Sequence, residues 1–250
     1  MLKVENAMLS FGGLIATNNI SIHVKPNQIT ALIGPNGAGK TTLFNCISGV
    51  YKIDKGQITF DGQRIDGKRC FQINEMGISR TYQVINLFWK MSVVENVMVG
   101  MHPRLKAGYF SSMLRTKAQR MEEKQALERA YEWLDFVNLR DKALNAASSL
   151  SYGEQRLLEI VRGLASSPKL ILLDEPAAGM NSKEKRDLDV LLQKILKKNV
   201  TILMIEHDMK LVMGVADQIF VLNNGKLLAE GTPKEIQNNP DVITAYLGGE

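Results

Sequence analysis

Gly34-Pro35-Asn36-Gly37-Ala38-Gly39-Lys40-Thr41, with Thr42 behind it, is the stretch on which the reading of the whole chain turns. It matches G-x-x-x-x-G-K-[ST] at every specified position, and each specified residue type has a physical reason to be there. The glycines let the backbone turn tightly, so that successive N–H groups converge on phosphate oxygens. Lys40 supplies a point positive charge for β- and γ-phosphates, and the Thr41 hydroxyl is of the kind that ligates Mg²⁺. A helix is expected from about Gly39, adding its positive end to the same place. The whole stretch is the candidate phosphate-binding segment.

Its flanks agree. Ile29-Thr30-Ala31-Leu32-Ile33 is short, apolar and partly β-branched, the composition of a buried parallel strand. Thr41 to Ser48 then carries Leu43, Phe44 and Ile47 at helical spacing and stops at Gly49. Strand, loop and helix in that order predict a nucleoside-triphosphate site.

The chain has 250 residues, 45% hydrophobic and 23% charged, ordinary values for a globular protein with one large domain or a core carrying an insert. Cys46 and Cys70 offer no disulfide framework and suit a reducing cytosol. Met1 to Asn6 reads as an edge strand with charges rather than a signal peptide. No apolar run approaches the roughly 18 residues a membrane span needs. The net charge is +5, but Lys and Arg are interleaved with Glu and Asp, as in Arg115 to Arg129. That pattern fits a solvated helix face better than a nucleic-acid stripe.

Along the first third, Leu2–Leu9, Ile20–Val24 and Ile29–Ile33 read as strands, with Phe11-Gly12-Gly13 and Lys25-Pro26-Asn27 as punctuation. Gly56 to Phe60 followed by Asp61-Gly62 predicts a hairpin, so the sheet near the nucleotide has an antiparallel portion. From about Asn86 to Ser166 the pattern is helical. Ala126, Leu127, Ala130, Trp133, Leu134 and Val137 fall on one face there, with Trp133 expected in the core. Strand-like runs return at Leu170–Leu173, Val200–Ile205 and Ile219–Leu222, and Asn223-Asn224-Gly225 predicts a last hairpin.

Leu170-Ile171-Leu172-Leu173-Asp174-Glu175-Pro176 is an apolar strand ending in two carboxylates. Such a strand delivers Asp174 to its carboxyl end, where a phosphate-bound Mg²⁺ would sit. Glu175 beside it can polarise an attacking water. Leu150-Ser151-Tyr152-Gly153-Glu154-Gln155 is the most discriminating stretch, opening a helix whose N-terminus suits an anion. A simple Ser N-cap with an acidic first turn would look the same.

That last stretch resembles the Leu-Ser-Gly-Gly-Gln signature of ATP-binding-cassette (ABC) ATPases, with Tyr152 for the first Gly and Glu154 for the Gln. Further cassette elements follow in order. Gln83 matches the Gln loop, His207 the switch histidine, and Phe11 the aromatic that stacks on adenine. Asn181 stands where many cassettes have Asp. Arg80-Thr81-Tyr82-Gln83, Asp174 to Asn181, Glu206-His207-Asp208-Met209 and Ala245-Tyr246-Leu247-Gly248 together look like the ATPase subunits of branched-chain amino-acid importers.

The resemblance implies an α/β fold, a P-loop NTPase (RecA-like) core with an N-terminal antiparallel β subdomain and a helical ABC insert. The core would comprise residues 1–84 and 166–250, and the insert, carrying the signature, residues 85–165. It implies ATP and Mg²⁺ bound in a head-to-tail dimer, between the phosphate loop of one subunit and Ser151 and Gly153 of the other. Thr41, Gln83 and Asp174 would surround the metal, Glu175 would orient water, and His207 and Lys40 would meet the phosphates. The chain would work at the cytoplasmic face of the membrane, peripherally, on two transmembrane permease subunits. Its other partners would be a second copy or a sister ATPase subunit and, indirectly, a periplasmic or extracellular binding protein. The apolar connector Val84 to Met91 reads either as a groove for a partner helix or as a core segment. An exporter of lipid or lipopolysaccharide, and a soluble cassette working on nucleic acid, are the alternatives.

Overall fold

The computed structural model describes residues 1–102 and 117–247. Arg115 and Gly248, part of two stretches read above, lie outside the described residues. Two compact units result: Met1–Gln83 with Lys169–Glu250, and Val84–Pro168.

In the first unit, β1 (Leu2–Phe11), β2 (Leu14–Val24), β4 (Lys55–Phe60) and β5 (Gln63–Arg64) form an antiparallel sheet in the order β2-β1-β4-β5. The expected edge strand at the N-terminus is therefore an interior one. Leu2 pairs with Val24 on one side and with Phe60 on the other. The charges that suggested an edge lie on the exposed face, while Leu2, Val4, Ala7 and Leu9 are buried. Both flanking strands also run longer than expected. β2 accommodates its polar Thr17-Asn18-Asn19 through register shifts against β1, with Asn19 at φ 57°. Asp61-Gly62 makes the predicted tight turn, Phe60 pairing with Gln63.

The second sheet is six-stranded. It contains β3 (Ile29–Ile33), β6 (Ile78–Arg80), β7 (Leu170–Asp174), β8 (Thr201–Ile205), β9 (Gln218–Asn223) and β10 (Lys226–Gly231), in the order β10-β9-β3-β8-β7-β6. Only β10 runs antiparallel, returning through Asn224-Gly225. Every residue of β3, β7 and β8 is buried, as parallel strands covered on both faces require. Helices α1 (Lys40–Ile47) and α2 (Cys70–Met76) follow β3 and β5. Leu43, Phe44 and Ile47 of α1 join a core with Leu2, Ile58, Leu172 and Phe220, which binds both sheets together.

In the second unit, α3 (Val93–Met101), α4 (Lys117–Phe136) and α5 (Tyr152–Ala165) pack on one another. Ala126, Ala130 and Leu134 are buried on α4 and Val137 just beyond its end, as their spacing predicts. Leu127 is exposed, and Trp133 is half-buried against the edge of Phe136 rather than enclosed. The apolar stripe is narrower than the sequence suggested. In the first unit, α6 (Ser182–Lys197), α7 (Met209–Val215), α8 (Pro233–Gln237) and α9 (Pro240–Leu247) complete the order.

Candidate active site

β3 ends at Ile33, and the turn from Gly34 returns the chain into α1. Gly34 sits at φ 149°, where an added Cβ would fall 2.1 Å from the Leu222 carbonyl oxygen on β9. Gly39, at φ 95°, is held against the Ala16 carbonyl of β2, 2.4 Å from where a Cβ would stand. Both glycines are set by neighbouring backbone. Gly39 also offers no side chain to cap α1, and the first turn carries no acid. The leading N–H groups, with no intrahelical acceptor to reach, remain for an external anion. That donor set fits a phosphate.

Lys40 is 6% exposed, and its Nζ donates to the carbonyl oxygens of Gly34 (2.7 Å) and Pro35 (2.9 Å). Burial lowers its pKa, while the negative charges of Glu175 and Asp174 oppose that shift. The lysine and the two carboxylates therefore belong to one electrostatic neighbourhood. Thr41 is exposed and Thr42 half-buried in the first turn of α1.

Strand register assembles the rest. Asp174, the last residue of β7, stands opposite Ile205, the last of β8. The two following loops, one carrying Glu175 and the other His207, thus leave the same sheet edge, the ligand-binding edge of a parallel sheet. Gln83 follows β6, whose Arg80 is in register with Leu172. Gln83 Nε2 donates to Glu175 Oε2 at 3.1 Å, and His207 Nε2 lies 3.1 Å from Glu175 Oε1. Residues far apart in the chain converge on one carboxylate. Glu175 adopts φ 49°, an unfavourable region for a non-glycine residue, and its N–H donates to the Ile205 carbonyl at 2.9 Å. Strain of this kind, of order 1–3 kcal/mol, is typical of functional positions.

Phe11 lies at the end of β1, 46% exposed, with Tyr51 against it edge to face at 5.2 Å. It is not the core residue its apolar side chain suggests. Asn181 caps α6, its Oδ1 accepting from the N–H groups of Lys183 (2.9 Å) and Glu184 (3.1 Å). In the second unit, Ser151 caps α5. Its Oγ accepts from the Glu154 N–H, and the Glu154 carboxylate accepts from the Ser151 N–H at 3.0 Å, a reciprocal box. Gly153, in the first turn of α5, is buried.

Two residues given no role from sequence sit in this machinery. Arg80 donates to Asp174 Oδ2 (2.9 Å), Asn45 Oδ1 and Ser48 Oγ (2.7 Å each), with Phe44 and Tyr82 against its guanidinium. Its side chain is 6% exposed and that of Asp174 3%. The short strand Ile78-Ser79-Arg80 gave no signal of it, although a buried cation demands a carboxylate nearby. Glu206, at 3% exposure, is the second, and there the apolar strand β8 just before it was the available signal.

Among the described residues, no group of three or more His, Cys, Asp or Glu could hold a metal unaided. Mg²⁺ commonly takes one or two carboxylates together with substrate phosphates. Asp174 with the Thr41 hydroxyl and the Gln83 amide fits that arrangement in chemistry.

A family model described as ABC transporter matches residues 17–178, and one for the branched-chain amino acid ATP-binding cassette transporter matches residues 226–250. The high-affinity branched-chain amino acid transport ATP-binding protein LivG of Salmonella typhimurium is 51% identical, over 99% of this chain and 98% of its own. A crystal structure of a nucleotide-free ATP-binding cassette from an ABC transporter superposes with a TM-score of 0.86 at 33% identity, covering 100% of this chain and 99% of that one. An ATP-binding cassette in its ADP conformation gives the same score at 32% identity, with the same coverage. The α/β architecture expected from the sequence is thus that of solved cassettes, and the chain belongs to the ABC transporter family, as an ATPase subunit of the branched-chain amino-acid type.

Proposed function

We propose that this ATPase energises the uptake of branched-chain amino acids, docked on two transmembrane permease subunits at the cytoplasmic face of the membrane and dimerised with itself or a sister subunit. A binding protein outside the membrane would deliver the cargo. No described helix is long and apolar enough to cross a membrane, which accords with a peripheral subunit. Cargo selectivity then rests with the partners.

The observation that carries the catalytic part is the Glu175 carboxylate held between Gln83 and His207, in one unit with Lys40 and Asp174. In hydrolysis, the loop N–H groups and Lys40 hold the phosphates of ATP, and Phe11 offers an exposed ring to the base. Glu175 orients the attacking water and accepts its proton, while Gln83 and His207 keep that carboxylate aimed. Thr41, Gln83 and Asp174 would hold Mg²⁺, which neutralises phosphate charge when bound. Ser151 and Gly153 of a second subunit would close on the γ-phosphate. Catalysis here is positioning and charge, with little covalent chemistry for the protein to perform.

Glu175→Gln tests this directly: ATP binding should persist while hydrolysis falls by roughly a hundredfold or more. Wild-type turnover by the variant in the assembled transporter would overturn the role. For docking, the exposed Val84, Phe88 and Trp89 are the candidate contact. Replacing Phe88 and Trp89 by Ser should reduce membrane recruitment and partner-stimulated turnover, with ATP affinity unchanged. Deleting the gene should abolish high-affinity uptake of labelled leucine, isoleucine and valine. Undiminished uptake in a strain with no second copy would reject the cargo and leave the ATPase standing.

A further inference from the structure

We infer that Glu206 is a positioning residue for hydrolysis, a carboxylate clamp that locks the loop carrying Glu175 to the loop carrying His207. It rests on the roles proposed above for those two residues. Glu206 occupies the first position beyond β8 and is 3% exposed. Its Oε1 accepts from the N–H of Ala177 at 2.7 Å. Its Oε2 accepts from the N–H groups of His207 (3.0 Å) and Asp208 (3.3 Å). One oxygen thus holds the chain two residues past Glu175, and the other holds the backbone of His207 itself.

The geometry explains why a carboxylate stands here. Three N–H donors from two different loops converge on one side chain, and a carboxylate alone presents two oxygens that both only accept. A glutamine of the same shape would satisfy one loop and turn its amide hydrogens against the donor of the other. Oriented N–H dipoles also make a buried negative charge tolerable. The clamp is reinforced on the backbone by the Glu175 N–H bond to Ile205. On the far side, Asp208 Oδ1 caps α7 by accepting from Leu211 N–H, and its Oδ2 accepts from Lys185 Nζ at 2.6 Å. The His207 backbone is therefore fixed from both directions, and the 3.1 Å contact between His207 and Glu175 depends on two loops with no covalent link near the site.

Displacing a catalytic group by about an ångström can cost up to about a hundredfold in rate. Glu206→Gln is accordingly expected to lower kcat by about tenfold or more, with the KM and binding affinity for ATP changed by less than about threefold. Combining it with His207→Ala distinguishes positioning from general damage. If Glu206 acts through His207, Glu206→Gln should cost less than about twofold more in that background. Equal losses in both backgrounds, or a parallel fall in ATP binding, would overturn the inference. Glu175→Gln and His207→Ala alone test the underlying reading, so its failure is separately visible as wild-type turnover in those variants. Should Glu206→Gln not fold, amide exchange in the wild-type protein decides. The Ala177 and His207 amide protons should both be strongly protected, and exchange of either at the rate of an open loop would sink the clamp.

Discussion

Two helices of this protein begin at stretches that the sequence assigns to phosphate, and their N-termini are finished in opposite ways. α1 starts after Gly39 with no side-chain cap and no acid in its first turn. α5 starts at Ser151 inside a complete capping box, with Glu154 bonded in turn by the Lys142 ammonium. The first leaves its donors and its dipole unsatisfied, so an anion must supply what the chain omits. The second satisfies two of its own donors, the Ser151 and Glu154 N–H groups, through the box. The Ser151 hydroxyl accepts from Glu154 N–H and retains its own O–H for donation, and the first-turn N–H groups of Tyr152 and Gly153 have no acceptor within the helix. One terminus is left wholly open as a site, while the other is part-finished by its own side chains and keeps only its remaining first-turn donors.

The sharpest way to break this contrast is to finish α1 as α5 is finished. Thr42→Glu places a carboxylate in the open first turn, and nucleotide affinity should fall by at least about a hundredfold through like-charge repulsion with the phosphates. The nucleotide-free protein should gain about 0.5–1 kcal/mol from the helix dipole. Fluorescent-nucleotide titration and thermal melts measure the two effects; unchanged affinity would refute the phosphate site at α1.

A smaller effect is expected where cap and donor share one hydroxyl. Ser151→Ala should cost about 1 kcal/mol of stability and about tenfold to a hundredfold in partner-stimulated hydrolysis. Ser151→Asp keeps a good cap but has no proton to donate and adds negative charge. Its stability should stay within about 0.5 kcal/mol of wild type, with hydrolysis falling at least as far. If Ser151→Asp hydrolyses ATP normally, Ser151 is a cap and nothing more.

The smallest effect concerns Glu154. Burial pushes its carboxyl up, but the Lys142 and Ser151 hydrogen bonds outweigh this and hold its pKa below the ordinary range. A folded-state pKa below the unfolded one contributes stability above about pH 4.3, which is lost as pH falls through the folded value. Acid titration of urea midpoints should show a loss of a few tenths of a kcal/mol in that window, absent in Glu154→Gln. An identical acid limb in the variant would mean the box carries no charge contribution.

Much of this could be read without coordinates, because its causes are local. Gly34 to Thr42, the apolar run Leu170 to Asp174, and the Asp61-Gly62 and Asn224-Gly225 turns each carry their constraint within a few residues. What escaped was decided by partners distant in the chain. β1 looked like an edge because the strand that covers its second side comes some fifty residues later, at Lys55–Phe60. Trp133 followed the helical period yet is only half-buried, with Phe136 edge-on against it, since neighbouring elements and not period alone decide how much of a stripe is enclosed.

By itself, then, the sequence determined the nucleotide-binding loop, the α/β class, the helical unit and the candidate residues Gln83, Asp174, Glu175 and His207. The loop, the class, the helical unit, Asp174 and Glu175 rest on short-range pattern or on residue chemistry, whereas Gln83 and His207 rest on the resemblance to cassette ATPases. Only the tertiary structure decided that Gln83 and His207 meet on one carboxylate, that Arg80 holds Asp174, and that Glu206 ties two loops together. Those contacts follow from the register of β6, β7 and β8. Parallel pairing is set by which apolar strands bury one another across the sheet, and no local stretch of chain specifies it.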